Sequence, residues 1–208
     1  MKNRIVKIEP TESMISLTWL IGIRCNYDCM YCSPAVHDST SPHPDLDQLK
    51  QVWLNFYEKT KHHNLSYKIS FTGGEVTANK SFLPLVEFVK SKEFNVGQIN
   101  VTTNGSASLN YYVKLCQSID TLSFSTHSEY INEKEFFHKV LELDRIMVRP
   151  QKSFHVNVMD EFWNQDRIEL YRKWLTKHNI SHCVNKIDYT VQTRTQPLLQ
   201  GVYNIEQL

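Results

Sequence analysis

The feature that most constrains this 208-residue chain is a plan repeated about six times: a short strand-like segment, a polar turn, then apolar residues at helical spacing. Strand character falls on segments 14–23, 67–71, 98–102, 121–125, 155–158 and 182–187, each rich in β-formers and closed by a turn. Between them, Leu46, Leu49, Val52, Trp53, Phe56 and Tyr57 share one helical face behind an Asp45-to-Gln48 capping pattern. A second helix follows Ser81 with Leu85, Val86, Phe88 and Val89, and a third runs from about Leu109 to Cys116. Phe136, Phe137, Val140 and Leu141 mark a fourth; Ile168, Tyr171, Trp174 and Leu175 mark a fifth. Strands alternating with helices predict a mainly parallel sheet with right-handed crossovers. Six units are too few for a closed eight-unit barrel of roughly 250 residues. The predicted fold is therefore an open, partial (βα)6 barrel, with a flat doubly wound α/β sheet as the alternative that the local pattern does not separate from it. The chain reads as one domain over 1–208, with a turn-rich loop at 24–44 and an irregular tail from about 190 to 208.

Composition narrows the class further. A net charge of +1 gives no general attraction to nucleic acid or to an anionic membrane, and no aromatic and basic residues interleave as a base-stacking platform would. Segment 1–13 is a polar lead without the plan of a signal peptide, and no apolar run approaches the roughly 20 residues that span a bilayer. Five cysteines, three of them clustered, suit free thiols in a reducing compartment, so a cytoplasmic location is expected. Cys116 and Cys183, left over from the cluster, are expected to be buried small apolar residues.

The clustered thiols are Cys25, Cys29 and Cys32, in the loop that follows the first strand. Three soft ligands this close are a metal or cluster site. Two occupants fit: an iron–sulfur cluster, or a zinc ion completed by His37. The other strands also end in groups that carry chemistry, namely Gly73-Gly74-Glu75, Thr103-Asn104-Gly105, Ser125-Thr126-His127 and Met159-Asp160. In parallel α/β folds such ends share one mouth. Two glycines before Glu75 allow close backbone approach to a ligand, with carbonyls and a carboxylate offered to a cationic amine. Asn157 and Met159 share one face of the fifth strand, which makes Asn157 a candidate for contact with a ribose or a carboxylate. His127 could bind substrate or shuttle a proton, and is the tentative catalytic residue. Phe162, Trp163, Lys186, Asp188, Tyr189 and Arg194 are substrate-contact candidates by location alone.

The Cys-x-x-x-Cys-x-x-Cys spacing, with Tyr31 before the last cysteine and Gly73-Gly74-Glu75 one strand later, resembles the signature of the radical S-adenosylmethionine enzymes. The resemblance implies that Cys25, Cys29 and Cys32 hold three irons of one [4Fe–4S] cluster, and that S-adenosylmethionine chelates the open iron. It assigns the methionyl amine to Gly73, Gly74 and Glu75, the adenine to Tyr31, and the methionyl carboxylate or ribose to Thr103, Asn104 and Ser125. Val76 stands where the family often has proline, and His127 where many members have an acidic residue. Reductive cleavage to methionine and a 5′-deoxyadenosyl radical, fed by a flavodoxin- or ferredoxin-type electron donor, is the implied activity. A substrate from small-molecule or natural-product biosynthesis is expected; a peptide or protein is the alternative, and a partner chain could cover the open barrel. From other classes, a zinc-stabilised binding module or a non-catalytic iron–sulfur sensor remains open.

Overall fold

The computed structural model describes residues 4–10, 14–147 and 150–191. Seven strands form one sheet whose spatial order is the chain order: β1 (Arg4–Pro10), β2 (Met14–Leu20), β3 (Ser66–Thr72), β4 (Val96–Thr103), β5 (Thr121–Ser125), β6 (Ser153–Asp160) and β7 (His182–Lys186). β1 lies antiparallel to β2, and β2 to β7 are all parallel. The helices between them are α1 (Leu46–Thr60), α2 (Phe82–Val89), α3 (Leu109–Ser118), α4 (Glu133–Met147) and α5 (Gln165–Lys177).

Strand order decides between the two predicted architectures. A doubly wound sheet reverses direction at a switch point, which puts helices on both faces. Here every parallel strand pairs with its predecessor, so crossovers of one hand place all five helices on one face. The result is the open partial barrel, and the flat doubly wound alternative is set aside. Two local expectations change. Segment 1–13 is more than a polar lead, since β1 adds an antiparallel strand; and the first parallel strand ends at Leu20 rather than residue 23. The expected irregular tail and Arg194 lie outside the described residues, apart from a short helical turn at Tyr189–Val191. No helix among the described residues is long and apolar enough to cross a membrane.

The two faces of the sheet differ sharply. Alternate residues of β2 and β3 are buried, with Ile15, Leu17 and Trp19 continuing laterally into Tyr67, Ile69 and Phe71. Val101, Phe124 and Val156 extend this layer across the sheet against the helices. The opposite face is half-exposed and polar. Strand register aligns Thr18, Ser70, Asn100, Thr121 and Ser153 in one row, and Leu20, Thr72, Thr102, Ser123 and His155 in the next. Ser125, Asn157 and Cys183 lie one row nearer the strand ends.

α1 sets its aromatic face against β2 and β3. Asp45 caps α1 with the full reciprocal box to Gln48, which fixes the start of the helix and therefore the direction of Trp53. Trp53 stacks on Trp19 at 6.2 Å and meets Tyr67 and Phe94 edge-on at 5.6 and 5.7 Å. Truncating it leaves a large void in a layer that cannot collapse around it. Trp53→Ala should destabilise the protein by about 3–5 kcal/mol, measured as the shift in urea unfolding; a cost under about 1 kcal/mol would contradict this packing.

Candidate active site

The site begins with backbone geometry. Beyond the formal end of β2 the chain stays zipped to the turn after β3: Ile21 N donates to Thr72 O, Gly74 N to Gly22 O at 3.0 Å and Glu75 N to Arg24 O at 2.9 Å. The two glycines make this approach possible. A Cβ on Gly73, whose φ is +146°, would stand 2.3 Å from Gly22 O, and one on Gly74 2.3 Å from Arg24 O. The close approach foreseen for a ligand is thus already made to the backbone that launches the cysteine loop. Cys25 N to Asp38 O (2.7 Å) and Asp38 N to Ile23 O (2.9 Å) close the loop at its base. The cysteines ride on a loop anchored at both ends.

Cys25, Cys29, Cys32, Gly73, Gly74, Glu75, Thr103, Asn104, Ser125 and His127 all line one cavity, as the shared mouth of a parallel sheet requires. Glu75 is buried, and its carboxylate is heavily engaged. Oε1 accepts from Thr77 N (2.9 Å), Thr77 Oγ1 (2.6 Å) and Thr103 Oγ1 (2.6 Å), and Oε2 accepts from Asn104 N (2.6 Å). Burial pushes the Glu75 pKa up, and these donors pull it back. Oε1 takes three of these donors and Oε2 one, so Oε2 is the less occupied oxygen. Thr103 serves Glu75 rather than facing the cavity freely, and its hydroxyl also pairs with Tyr112 OH. Asn104 ties the site together: its Nδ2 donates to Asn26 Oδ1 at 2.9 Å and approaches Cys25 Sγ at 3.9 Å.

The thiols suit a cationic occupant. Burial pushes Cys25 up to about 11; a hydrogen bond to Cys32 raises Cys29 and lowers Cys32. Among the described residues no three His, Cys, Asp or Glu side chains converge on one ion position. A tetrahedral zinc ion needs such convergence, whereas cluster thiolates each bind a separate iron. His37, the fourth ligand a zinc site would use, has its Nε2 on Tyr27 O at 2.5 Å. Three thiols with no free fourth ligand among the described residues fit a cluster with one open iron.

A second network, missed in the sequence, stands behind the loop. Tyr31 OH lies 2.5 Å from His127 Nδ1 and 3.4 Å from Glu161 Oε1. Glu161 also accepts from the Ser128 amide and hydroxyl, while Glu129 accepts from Met30 N at 2.9 Å. Desolvation lowers His127 to about 4 and pushes Tyr31 well up, so both groups are neutral near pH 7 and share the hydrogen bond between Nδ1 and the hydroxyl. Glu129 and Glu161 were legible only by position, two residues past His127 and one past Asp160.

The remaining candidates scatter. Asn157 reaches Ser125 Oγ at 3.5 Å from the polar face. Trp163 tilts against Tyr31 at 6.1 Å and against Tyr189 at 5.9 Å, while Phe162 is 57% exposed. Lys186 follows the outward register of β7, and Asp188 caps the turn at Thr190. Cys116 is buried as expected; Cys183 is not, because its register with Asn157 puts it on the face that no helix covers.

Burial pushes Glu161 up to about 7 from an ordinary value of 4.5. A carboxyl that holds its proton more tightly in the fold contributes full stability below about pH 4.5, and that contribution is lost as pH rises through 7. Relative to Glu161→Gln, the apo-protein should lose up to about 3 kcal/mol between pH 4.5 and 7.5, read from urea unfolding at both values. Parallel pH profiles would remove Glu161 from this account.

No protein-family model matches the chain. It is 36% identical over 81 residues to the GTP 3′,8-cyclase of Pasteurella multocida, covering 39% of this chain and 23% of that one. To the GTP 3′,8-cyclase of Campylobacter curvus it is 28% identical over 127 residues, covering 57% of this chain and 38% of the relative. The chain thus spans less than half the length of these curated relatives. Among solved structures, Streptococcus suis SuiB bound to its precursor peptide SuiA superimposes with a TM-score of 0.62 at 12% identity, over 88% of this chain and 42% of SuiB. SuiB bound to S-adenosylmethionine gives 0.58 at 12% identity, over 92% and 45%. Sequence relatives, partial-barrel fold and three thiols sharing a cavity with a Gly-Gly-Glu turn all support a place for this chain in the radical S-adenosylmethionine superfamily.

Proposed function

We propose that this chain binds one [4Fe–4S] cluster through Cys25, Cys29 and Cys32, cleaves S-adenosylmethionine reductively, and removes a hydrogen atom from a substrate in small-molecule or natural-product biosynthesis. The observation that carries this reading is the single cavity shared by three thiols and Glu75, with His37 engaged on Tyr27 O rather than free as a fourth ligand. When bound and reduced by one electron, the cluster supplies the electron that splits the sulfonium into methionine and a 5′-deoxyadenosyl radical, which takes the substrate hydrogen.

The chain's own groups divide the remaining work. Tyr27 N donates to Cys25 Sγ at 3.3 Å, a contact of the kind that tunes a cluster's potential. Glu75 and the glycine backbone receive the methionyl amine, and Thr103 and Asn104 hold the carboxylate in place through a hydroxyl and an amide. Ser125 and Asn157 offer a hydroxyl and an amide to the ribose or carboxylate, and Tyr31 lies on the adenine side. His127 adds a neutral imidazole to the cavity lining. The electron comes from a flavodoxin- or ferredoxin-type donor. A peptide substrate is the second reading, favoured by the likeness of the fold to SuiB, which was solved with its precursor peptide.

Anaerobically reconstituted protein should form 5′-deoxyadenosine from S-adenosylmethionine and a strong reductant, detected by mass spectrometry. Cys29→Ala should reduce it to background and Glu75→Gln by at least about tenfold, while His37→Ala should retain its iron. Zinc in place of iron, or no product from protein with an intact cluster, would overturn the proposal.

A further inference from the structure

The inner face of the half-barrel is not built like the inside of a closed one. In an eight-stranded barrel, branched apolar side chains fill the interior in layers. On β2 to β7 the corresponding positions are mostly hydroxyls and amides, with one imidazole, one thiol and Lys68 among them and Met14, Leu20 and Met159 at the ends of their strands. The deeper rows satisfy one another: Gln98 Nε2 donates to Asn100 Oδ1 at 3.1 Å, Asn100 Nδ2 to Ser70 Oγ at 3.3 Å, and Thr121 pairs with Ser153 at 3.1 Å. The row above does so only at His155. Thr72, Thr102 and Ser123 have no side-chain hydrogen bond among the described residues, and Thr72 and Thr102 already line the cysteine cavity. Cys183 stands at the far wall, its Sγ 3.2 Å from His155 Nε2, whose Nδ1 is 2.9 Å from Ser181 Oγ. This is a floor of open hydrogen-bonding capacity continuous with the place where a radical would be generated.

Charge on that face is sparse. Lys68, deep on β3, is the one formally charged side chain that β2 to β7 place there, and burial lowers the pKa of His155, keeping it neutral. Recognition of a polyphosphate relies on several guanidinium or ammonium groups or on helix N-termini aimed at the phosphates. Nothing in the register of this face supplies them.

Building on the proposed function, we propose that the substrate is a low-charge molecule rich in hydroxyl or amide groups, held along Thr72, Thr102, Ser123, His155 and Cys183, and not a nucleoside triphosphate. Such a ligand exchanges its water hydrogen bonds for those of the floor. A triphosphate would lose its hydration without gaining counter-charges.

The test uses cluster-loaded full chain and fractions of a cell extract separated on an anion exchanger, with 5′-deoxyadenosine formation as readout. Uncoupled formation without extract is the control: if it is absent, the proposed function has failed, not this inference. Material that passes unretained should stimulate formation at least about fivefold, and GTP as a defined probe should not stimulate it. Absence of stimulation by unretained material, whether it appears in the high-salt fractions or in none, would overturn the assignment. Alkylating Cys183 with N-ethylmaleimide should then remove the stimulation about tenfold or more, with Cys183→Ser as the variant that escapes the reagent. Stimulation that survives alkylation would place the substrate elsewhere and overturn it equally.

Discussion

The structure depends on one close backbone approach. Gly73 and Gly74 run against Gly22 to Arg24 at distances no Cβ would tolerate, and that contact joins the end of β3 to the start of the cysteine loop. Everything the site needs follows from it. The loop's base is fixed; Glu75 emerges at the turn where Thr103 and the Asn104 amide can hold it; and Asn104 reaches back to the loop through Asn26. The glycines are conformationally costly in an unfolded chain, yet here two of them let three strand ends share one set of hydrogen bonds.

How much of this the sequence carried can be judged residue by residue. The parallel strands and five helices were legible because each strand alternates or clusters apolar β-formers, and each helix repeats them at a period of 3.6 residues. The capping box at Asp45 was readable because its chemistry is local. The cysteines and the Gly-Gly-Glu turn were readable as types and spacings. The purpose of the glycines was not, because the atom that forbids a side chain at Gly74 is a carbonyl fifty residues earlier. β1 escaped notice because it mixes charged with apolar residues and ends in Pro10, which gives a weak strand signal until a neighbour supplies the ladder. Cys183 was expected inside because cysteines usually are. Its exposure depends on the parity of its register with Asn157, which sequence alone does not fix.

The second network shows a similar limit in electrostatic terms. His127 by type titrates near neutrality, but desolvation between the rings of Tyr27 and Tyr31 takes it to about 4, while Glu161 moves up to about 7. An acid made weaker and a base made weaker, both connected to Tyr31, are each shifted towards the neutral form at the rear of a cavity that already contains three thiols and Glu75. A Glu161 that holds its proton more tightly adds less negative charge beside thiols that already lie close together.

The division of the sheet into an apolar outer face and a polar inner face separates stability from recognition. Trp19, Phe71 and Phe124 on the outer face carry the packing against α1 to α4. Thr102, Ser123 and Asn157 on the inner face bury little apolar surface and so contribute little to holding the sheet together. Changes at these inner positions therefore cost far less stability than changes one residue away on the same strands. A half-barrel that does not close can keep its interior hydrated, and six strands with helices on one face alone give it that freedom. The cysteine end of the sheet is then fixed by backbone contacts that tolerate no side chain, whereas the polar floor below it consists of groups that the fold does not need for its own stability.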